Sequence, residues 1–239
     1  MALFAIADLH LAGAEGDSKS MEVFGRRWIG CKEKLIKNWK AVVNEEDHVV
    51  IPGDISWAMT LTEAKDDFAL LDELPGKKYI GKGNHDFWWS TASKMNSFFR
   101  ECGFESLNIL YNNAYETPEG IICGSRGWFS DEANQKTVGT VCWQKITDRE
   151  TLRIRLSLQY AERFSPSLPR YVFLHFPPVW NSMVSRGIIE VLHQYGITQC
   201  YYGHIHGVYS SETSFEFENI RFDMISADHL DFCPKIIVK

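Results

Sequence analysis

The sequence predicts an α/β fold, organised as a single domain over residues 1–239 that contains two sheets. Three observations point there. Short apolar runs closed by Gly, Pro or Asp alternate with amphipathic stretches through the N-terminal half, which argues for parallel strands with helices on the outer face. Beyond them lies a second series of short strand-like runs, with no internal repeat and no linker-like tract. A chain of 239 residues that is 45% hydrophobic can also bury a sizeable core without disulfides.

The elements follow in order. Ala2 to Ala7 (ALFAIA) is an apolar run ended by Asp8 and reads as a buried strand. Trp28, Leu35, Ile36, Trp39, Val42 and Val43 recur at helical spacing and predict a helix over 29–44. His48 to Ile51 is a strand stopped by Pro52 and Gly53. Thr62 to Leu74 is a helix, with Thr60 placed to cap it against Glu63. Lys77 to Ile80 is a strand, and Ser90 to Cys102 a helix. Leu107 to Leu110, Ala114 to Thr117 and Gly120 to Cys123 read as short strands separated by turn residues. The segment 127–144 has no periodicity and reads as a loop insertion. Thr147 to Phe164 is a long helix, with Asp148 as its candidate cap. Tyr171 to Leu174 (strand), Ser185 to Tyr195 (helix) and Gln199 to Tyr202 (strand) follow. Successive strands from Gly207 end at Lys235 to Val238.

Lys and Arg total 25 against 31 Asp and Glu, a formal net charge of -6. The global basic footprint of a nucleic-acid binder is missing, which leaves only a local groove for such a partner. The six cysteines form no Cys-x-x-Cys clip, Met1 to His10 has no basic leader, and no stretch is apolar for long enough to span a membrane. A cytoplasmic location, reduced thiols and no membrane partner are the expectation.

The chemistry lies at the strand ends. Five of the eight histidines, His10, His85, His175, His204 and His206, fall just after predicted strands, as do Asp8, Asp54 and Asn84. The carboxyl ends of parallel strands open onto the ligand crevice, so these segments can converge. Asp8-Leu9-His10 and His204-Ile205-His206 each place two ligands two residues apart, on one side of an extended chain. Gly53-Asp54 offers a carboxylate able to bridge two cations, Gly83-Asn84 a neutral amide oxygen, and His175 an imidazole fixed by Phe176-Pro177-Pro178. Alone, each motif is common. Together they make seven candidate ligands of mixed carboxylate, amide and imidazole type, which fit two borderline divalent ions and, lacking thiolate, do not fit a structural zinc finger. His48, His193 and His229 stand outside the series.

The ordered series DLH, GD, GNHD, HFPP and GHIH, running from Asp8 to His206, resembles the calcineurin-like metallophosphoesterases. That resemblance implies a two-sheet β-sandwich flanked by helices. It implies two divalent transition-metal ions (Mn, Fe or Zn), one held by Asp8, His10 and His206, the other by Asn84, His175 and His204, with Asp54 between them. It makes His85 no ligand but the group that faces the phosphate and assists the leaving group. The reaction implied is hydrolysis of a small phosphate monoester or diester by a water that bridges the two ions.

Departures from the pattern narrow the activity. In the run GDISWAM, Trp57 stands where the family's protein phosphatases carry a second Asp, and no Arg follows. This argues against a protein phosphatase and removes the usual orienting partner of His85, and the sequence leaves open whether the adjacent Asp86 takes its place. Lipid A pathway pyrophosphatases begin with a similar DLHL but typically carry Arg at the position of His85. Arg126, in the run GSRGW, and Arg186 are candidate clamps on the substrate phosphate, since a guanidinium matches phosphate oxygens. Trp88, Trp89, Trp128 and Trp180 lie near the motif loops, as core or as stacking surfaces. The alternatives are a nuclease, which the net charge does not favour, and a metal-bearing scaffold that binds protein partners, which would not need every position filled.

Overall fold

A computed structural model describes residues 1–13, 21–128, 143–210 and 213–239. Two sheets lie face to face. In the first, β1 (Leu3–Ala5), β2 (His48–Ile51), β3 (Lys77–Ile80) and β4 (Leu107–Ile109) run parallel, and β13 (Lys235–Val238) closes the edge antiparallel to β1. In the second, β6 (Gly120–Ser125), β7 (Arg170–Leu174), β10 (Gln199–Tyr202) and β12 (Ile220–Met224) form a parallel centre. Its edges, β5 (Ala114–Thr117) and β11 (Ser214–Phe217), are antiparallel. The order is β11-β12-β10-β7-β6-β5.

Strand alternation builds three layers of core, because successive side chains point to opposite faces. Leu3, Ala5, Val50 and Tyr79 of the first sheet meet Ile122, Tyr171, Phe173 and Tyr201 of the second. The residues between them point outward. Phe4, Val49, Ile51 and Ile80 pack under α1 (Cys31–Val42), α2 (Lys65–Glu73) and α3 (Ala92–Cys102), which contribute Trp39, Phe68 and Phe99. Val172, Leu174, Cys200 and Tyr202 pack under α4 (Trp143–Ala161) and α5 (Arg186–Gln194), which contribute Leu158 and Leu192. Burial on both faces is why the central strands read as unbroken apolar runs.

The local signals hold with shifted boundaries. Thr60 Oγ1 accepts from the Glu63 amide at 3.2 Å, and the Glu63 carboxylate accepts from the Met59 amide at 2.9 Å, just before α2. Asp148, expected as a cap, lies one turn inside α4 and accepts from Gln144 Nε2 at 2.8 Å, because the helix starts at Trp143. A short hairpin, β8 (Val179–Trp180) with β9 (Met183–Val184), follows β7 where only a stiff turn was expected. Between β12 and β13 the chain is not a strand but an irregular connection, and it closes the sandwich. Ala7, beyond β1, pairs with Ser226, beyond β12, in a parallel bridge that joins the two sheets. Most of the loop insertion expected at 127–144, and Cys142 within it, lie outside the described residues. The other five cysteines are free, and burial pushes the Cys123 thiol up to about 12. Among the described residues no helix is long and apolar enough to cross a membrane.

Candidate metal centre

Each candidate ligand leaves the carboxyl end of a parallel strand: Asp8 and His10 after β1, Asp54 after β2, Asn84 after β3, His175 after β7, His204 and His206 after β10. The loops after β1 and β2 continue side by side, with the Asp8 amide donating to the Gly53 carbonyl at 3.0 Å and the His10 amide to the Asp54 carbonyl at 3.0 Å. Glycine is required where backbones touch ligands. A Cβ on Gly83 would lie 2.0 Å from Asp54 Oδ1, and one on Gly203 would lie 2.5 Å from Asp8 Oδ2. Asp8, His10, Asp54 and His204 themselves take positive φ, at 60°, 47°, 52° and 70°. Such conformations cost about 1–3 kcal/mol each and gather at functional sites.

All seven predicted ligands come together. His10 Nε2 and His206 Nε2 face each other at 3.2 Å. Asp54 Oδ2 lies 3.7 Å from His10 Nε2 and 3.6 Å from His175 Nε2. Asn84 Oδ1 is 2.7 Å from His175 Nε2 and 2.9 Å from His204 Nδ1. Asp8 Oδ1 sits 3.9 Å from His206 Nε2 and 3.7 Å from His175 Nδ1, and both Asp8 oxygens accept from the His204 amide. Asp8 with His10 and His206, and Asp8 with Asp54 and His175, each place their ligand atoms within 4.8 Å of one another.

The protonation states suit cations. Burial, helped by the charge of His206, pushes His10 well below the ordinary imidazole range and His204 to about 3; burial and His204 do the same to His175. These rings are therefore neutral and carry lone pairs. Burial also raises Asp8 to about 6 and, with the charges of Asp86 and Asp8, lifts Asp54 well above the carboxylate range. Two desolvated carboxylates in one place require nearby positive charge. Divalent ions would supply it, and the oxygen and imidazole donor set suits borderline transition metals. The residues present fit two such ions.

Two carboxylates beyond the predicted set hold the loops. Asp86 is buried and accepts from the amides of Asp54 (2.8 Å), Ile55 (2.8 Å) and Gly83 (2.7 Å) and from Trp88 Nε1 (3.1 Å). It ties the GD loop to the GNHD loop, and its hydrogen bonds go to those loops and Trp88 rather than to the His85 ring, a point the sequence left open. His85 stands instead against Trp57, with ring centroids 4.4 Å apart, and its buried Nδ1 has no hydrogen-bond partner among the described residues. Asp228, buried in the connection after β12, accepts from His206 Nδ1 (3.0 Å), the Gly207 amide (2.9 Å) and the Tyr209 hydroxyl (3.2 Å). Burial pulls His206 down, but this bond and the charges of Asp8 and Asp228 outweigh it and leave His206 raised. Sequence reading missed Asp228 because it lies beyond the last motif and carries no spacing signal.

The two arginines part company. Arg126 follows β6 with its guanidinium over Trp128 (4.7 Å) and Phe176 (5.2 Å), and its carbonyl accepts from the His175 and Phe176 amides. Its charge is felt at Asp54, His175 and His204. Arg186 is exposed at the start of α5 and pairs with Glu218, apart from the cluster. Of the tryptophans near the motifs, Trp88 and Trp128 are buried, and Trp180 packs with the second sheet's outer core. His48 is buried against Glu119 at 3.0 Å and His193 pairs with Glu218 at 3.3 Å, both outside the site.

Known proteins share this fold. A solved structure described as a protein of unknown function, AQ665, from Aquifex aeolicus is 15% identical, with a TM-score of 0.51 and coverage of 98% of this chain and 95% of that one. A phosphopantetheinyl hydrolase from Mycobacterium tuberculosis is 14% identical, with a TM-score of 0.55 and coverage of 94% and 88%. At such identities the likeness is one of fold. No curated protein matches the sequence at a significant level. The profile of the calcineurin-like phosphoesterases, however, matches residues 1–208, most of the chain and every strand-end ligand. With its two helix-flanked sheets and its Asp and His clusters, this chain belongs to the calcineurin-like phosphoesterase family.

Proposed function

We propose that the chain hydrolyses a small phosphate monoester or diester at two divalent transition-metal ions, Mn, Fe or Zn. The observation that carries this reading is the position of Asp54 Oδ2, within 3.6–3.7 Å of an imidazole nitrogen from each proposed ligand set, His10 Nε2 and His175 Nε2. Asp8, His10 and His206 would hold one ion, Asn84, His175 and His204 the other, and Asp54 would bridge them. Bound there, the pair supplies Lewis acidity toward the phosphoryl oxygens and a water that is nucleophilic at neutral pH.

The chain's own residues do the rest. Asp228 receives the Nδ1 proton of His206 and so turns Nε2 toward the cluster. The Asp54 Oδ1 atom accepts from the His85 amide at 2.8 Å, which fixes the backbone of His85 at the ligand that joins the two groups. The His85 ring lines the cavity beside the cluster and is its candidate proton donor to the departing oxygen. Arg126, on the side of Asp54 and His175, is the candidate contact to the substrate phosphate. Every ligand position is filled, which favours an enzyme over a scaffold. The acidic net charge supports a small substrate over a nucleic acid.

Loading the purified protein with Mn, Fe or Zn and assaying nitrophenyl phosphate against bis-nitrophenyl phosphate tests this directly. Elemental analysis is expected to approach two ions per chain, and Asp54→Asn is expected to weaken both sites and to abolish turnover. Full activity and full metal content in Asp54→Asn would defeat the bridging role.

A further inference from the structure

The cluster forms only one end of its cavity. The space measures about 470 Å³, and beyond His10, His85 and His206 its wall is built by Met21, Phe24, Trp28, Trp57 and Tyr209. Trp28 is buried with its ring edge-on to both His10 (centroids 5.9 Å) and His206 (5.5 Å). Trp57 stacks on His10 at 5.1 Å and 26°. At the rim Phe24 is 69% exposed and Tyr209 46% exposed, the latter under the Arg27 guanidinium at 3.9 Å. Phe24 thus presents an aromatic side chain to water at the mouth of the cavity that holds the cluster.

We infer that the alcohol portion of the ester is a flat apolar group, an aryl or aryl-alkyl alcohol, seated on Phe24, Trp28 and Trp57 while its phosphate meets the metal cluster. This rests on the phosphoesterase reading and names its substrate class. A sugar or nucleoside brings a row of hydroxyl and base-edge groups that must find partners when buried. The polar groups of this cavity do not offer that row: His10, Asp54, His85, His204 and His206 stand at the cluster, and the Tyr209 hydroxyl is already given to Asp228. What remains for the leaving group is a wall of rings and one thioether, in which the indole N–H groups of Trp28 and Trp57 are donors but, among the described residues, no row of acceptors stands. Its volume falls within the roughly 300–1,000 Å³ of small-molecule pockets.

Calorimetry on the metal-loaded full chain reads this without turnover. The probes are 1-naphthylmethylphosphonate, methylphosphonate and the non-hydrolysable 5′-methylenephosphonate isostere of adenosine 5′-monophosphate, with nitrophenyl phosphate hydrolysis run in parallel. The naphthyl compound is expected to bind roughly tenfold or more tightly than methylphosphonate, as burial of a ring predicts, and more tightly than the nucleotide. Phe24→Ala is expected to shrink that advantage and Phe24→Leu to restore part of it; both changes fall on an exposed side chain outside the packed core. Equal affinities for the two phosphonates, with nitrophenyl phosphate still hydrolysed, would overturn the apolar site and leave the phosphoesterase reading standing. Tighter binding of the nucleotide would overturn it in favour of a nucleoside ester. Failure to hydrolyse any ester with any of the metals would overturn both.

Discussion

His85 and His204 are both imidazoles at this centre, yet their surroundings give them different work. His85 is half-buried, faces the cavity, and is lowered by burial and by the charge of His206. If it protonates the leaving oxygen, His85→Ala keeps both ions and loses about 10²–10⁴-fold on an alkyl phosphate, where the leaving group needs a proton, and much less on nitrophenyl phosphate. Comparing kcat on the two esters decides between proton donation and charge stabilisation alone, since the latter slows both equally. His204 shows what burial does to stability. Its folded value of about 3 lies below the ordinary 6.5, so between those limits an unfolded chain binds a proton that the folded one does not. Stability from this residue is therefore present above pH 6.5 and is lost as pH falls toward 3. Urea midpoints of the metal-free protein are expected to drop more steeply from pH 7 to pH 5 than those of His204→Gln. Equal slopes would show that His204 does not stay neutral.

At the scale of elements, the strands place the ligands but the loops between them fix the angles. Asp86 braces two loops by accepting several amides, and Asp228 holds the loop after β10 by accepting one amide, a ring N–H and a hydroxyl; each is a stiffer tie than any single hydrogen bond. Asp228 also reaches from the connection after β12 to the loop after β10, and so links metal ligation to closure of the sandwich at Ala7 and Ser226. Asp228→Asn retains the shape but loses a charge and an acceptor. It is expected to lower metal affinity at the His206 position by about 10–100-fold, read by competition with a chelator, while the urea midpoint of the metal-free protein changes little. The sequence held the strand ends and their ligands openly, because those residues are chemically distinctive. It did not hold Asp228, whose role depends on a loop folding back across the site, nor the β8–β9 hairpin, whose strands of two residues are too short to show a period.

The whole molecule depends on the layer between its sheets, because the candidate metal centre draws its donor residues from both. Phe173 is fully buried in that layer and stacks on Tyr201 at 5.1 Å and 18°. Phe173→Ala is expected to cost about 3–5 kcal/mol in urea unfolding. Because His175 and His204 sit on the strands that meet at this ring pair, metal affinity is expected to fall with it. Metal affinity unchanged in a destabilised Phe173→Ala would mean that the loops alone hold the site.

What the sequence determined by itself is the alternation of strand and helix, the apolar runs of the central strands, and which donor residues gather as the candidate ligand set. All three follow from local pattern and side-chain chemistry: period, breaker residues, and donors of oxygen and nitrogen at strand ends. The tertiary structure alone decided that Asp86 braces two loops and leaves His85 to Trp57. It also set Arg126 beside the cluster and Arg186 in a surface pair with Glu218, though both are arginines near a motif. The aromatic wall of the cavity, too, joins Phe24, Trp57 and Tyr209 from distant parts of the chain. The physical reason is common to all of these: they are contacts between segments far apart in sequence, and their energies come from burial and shared hydrogen bonds that no local pattern encodes.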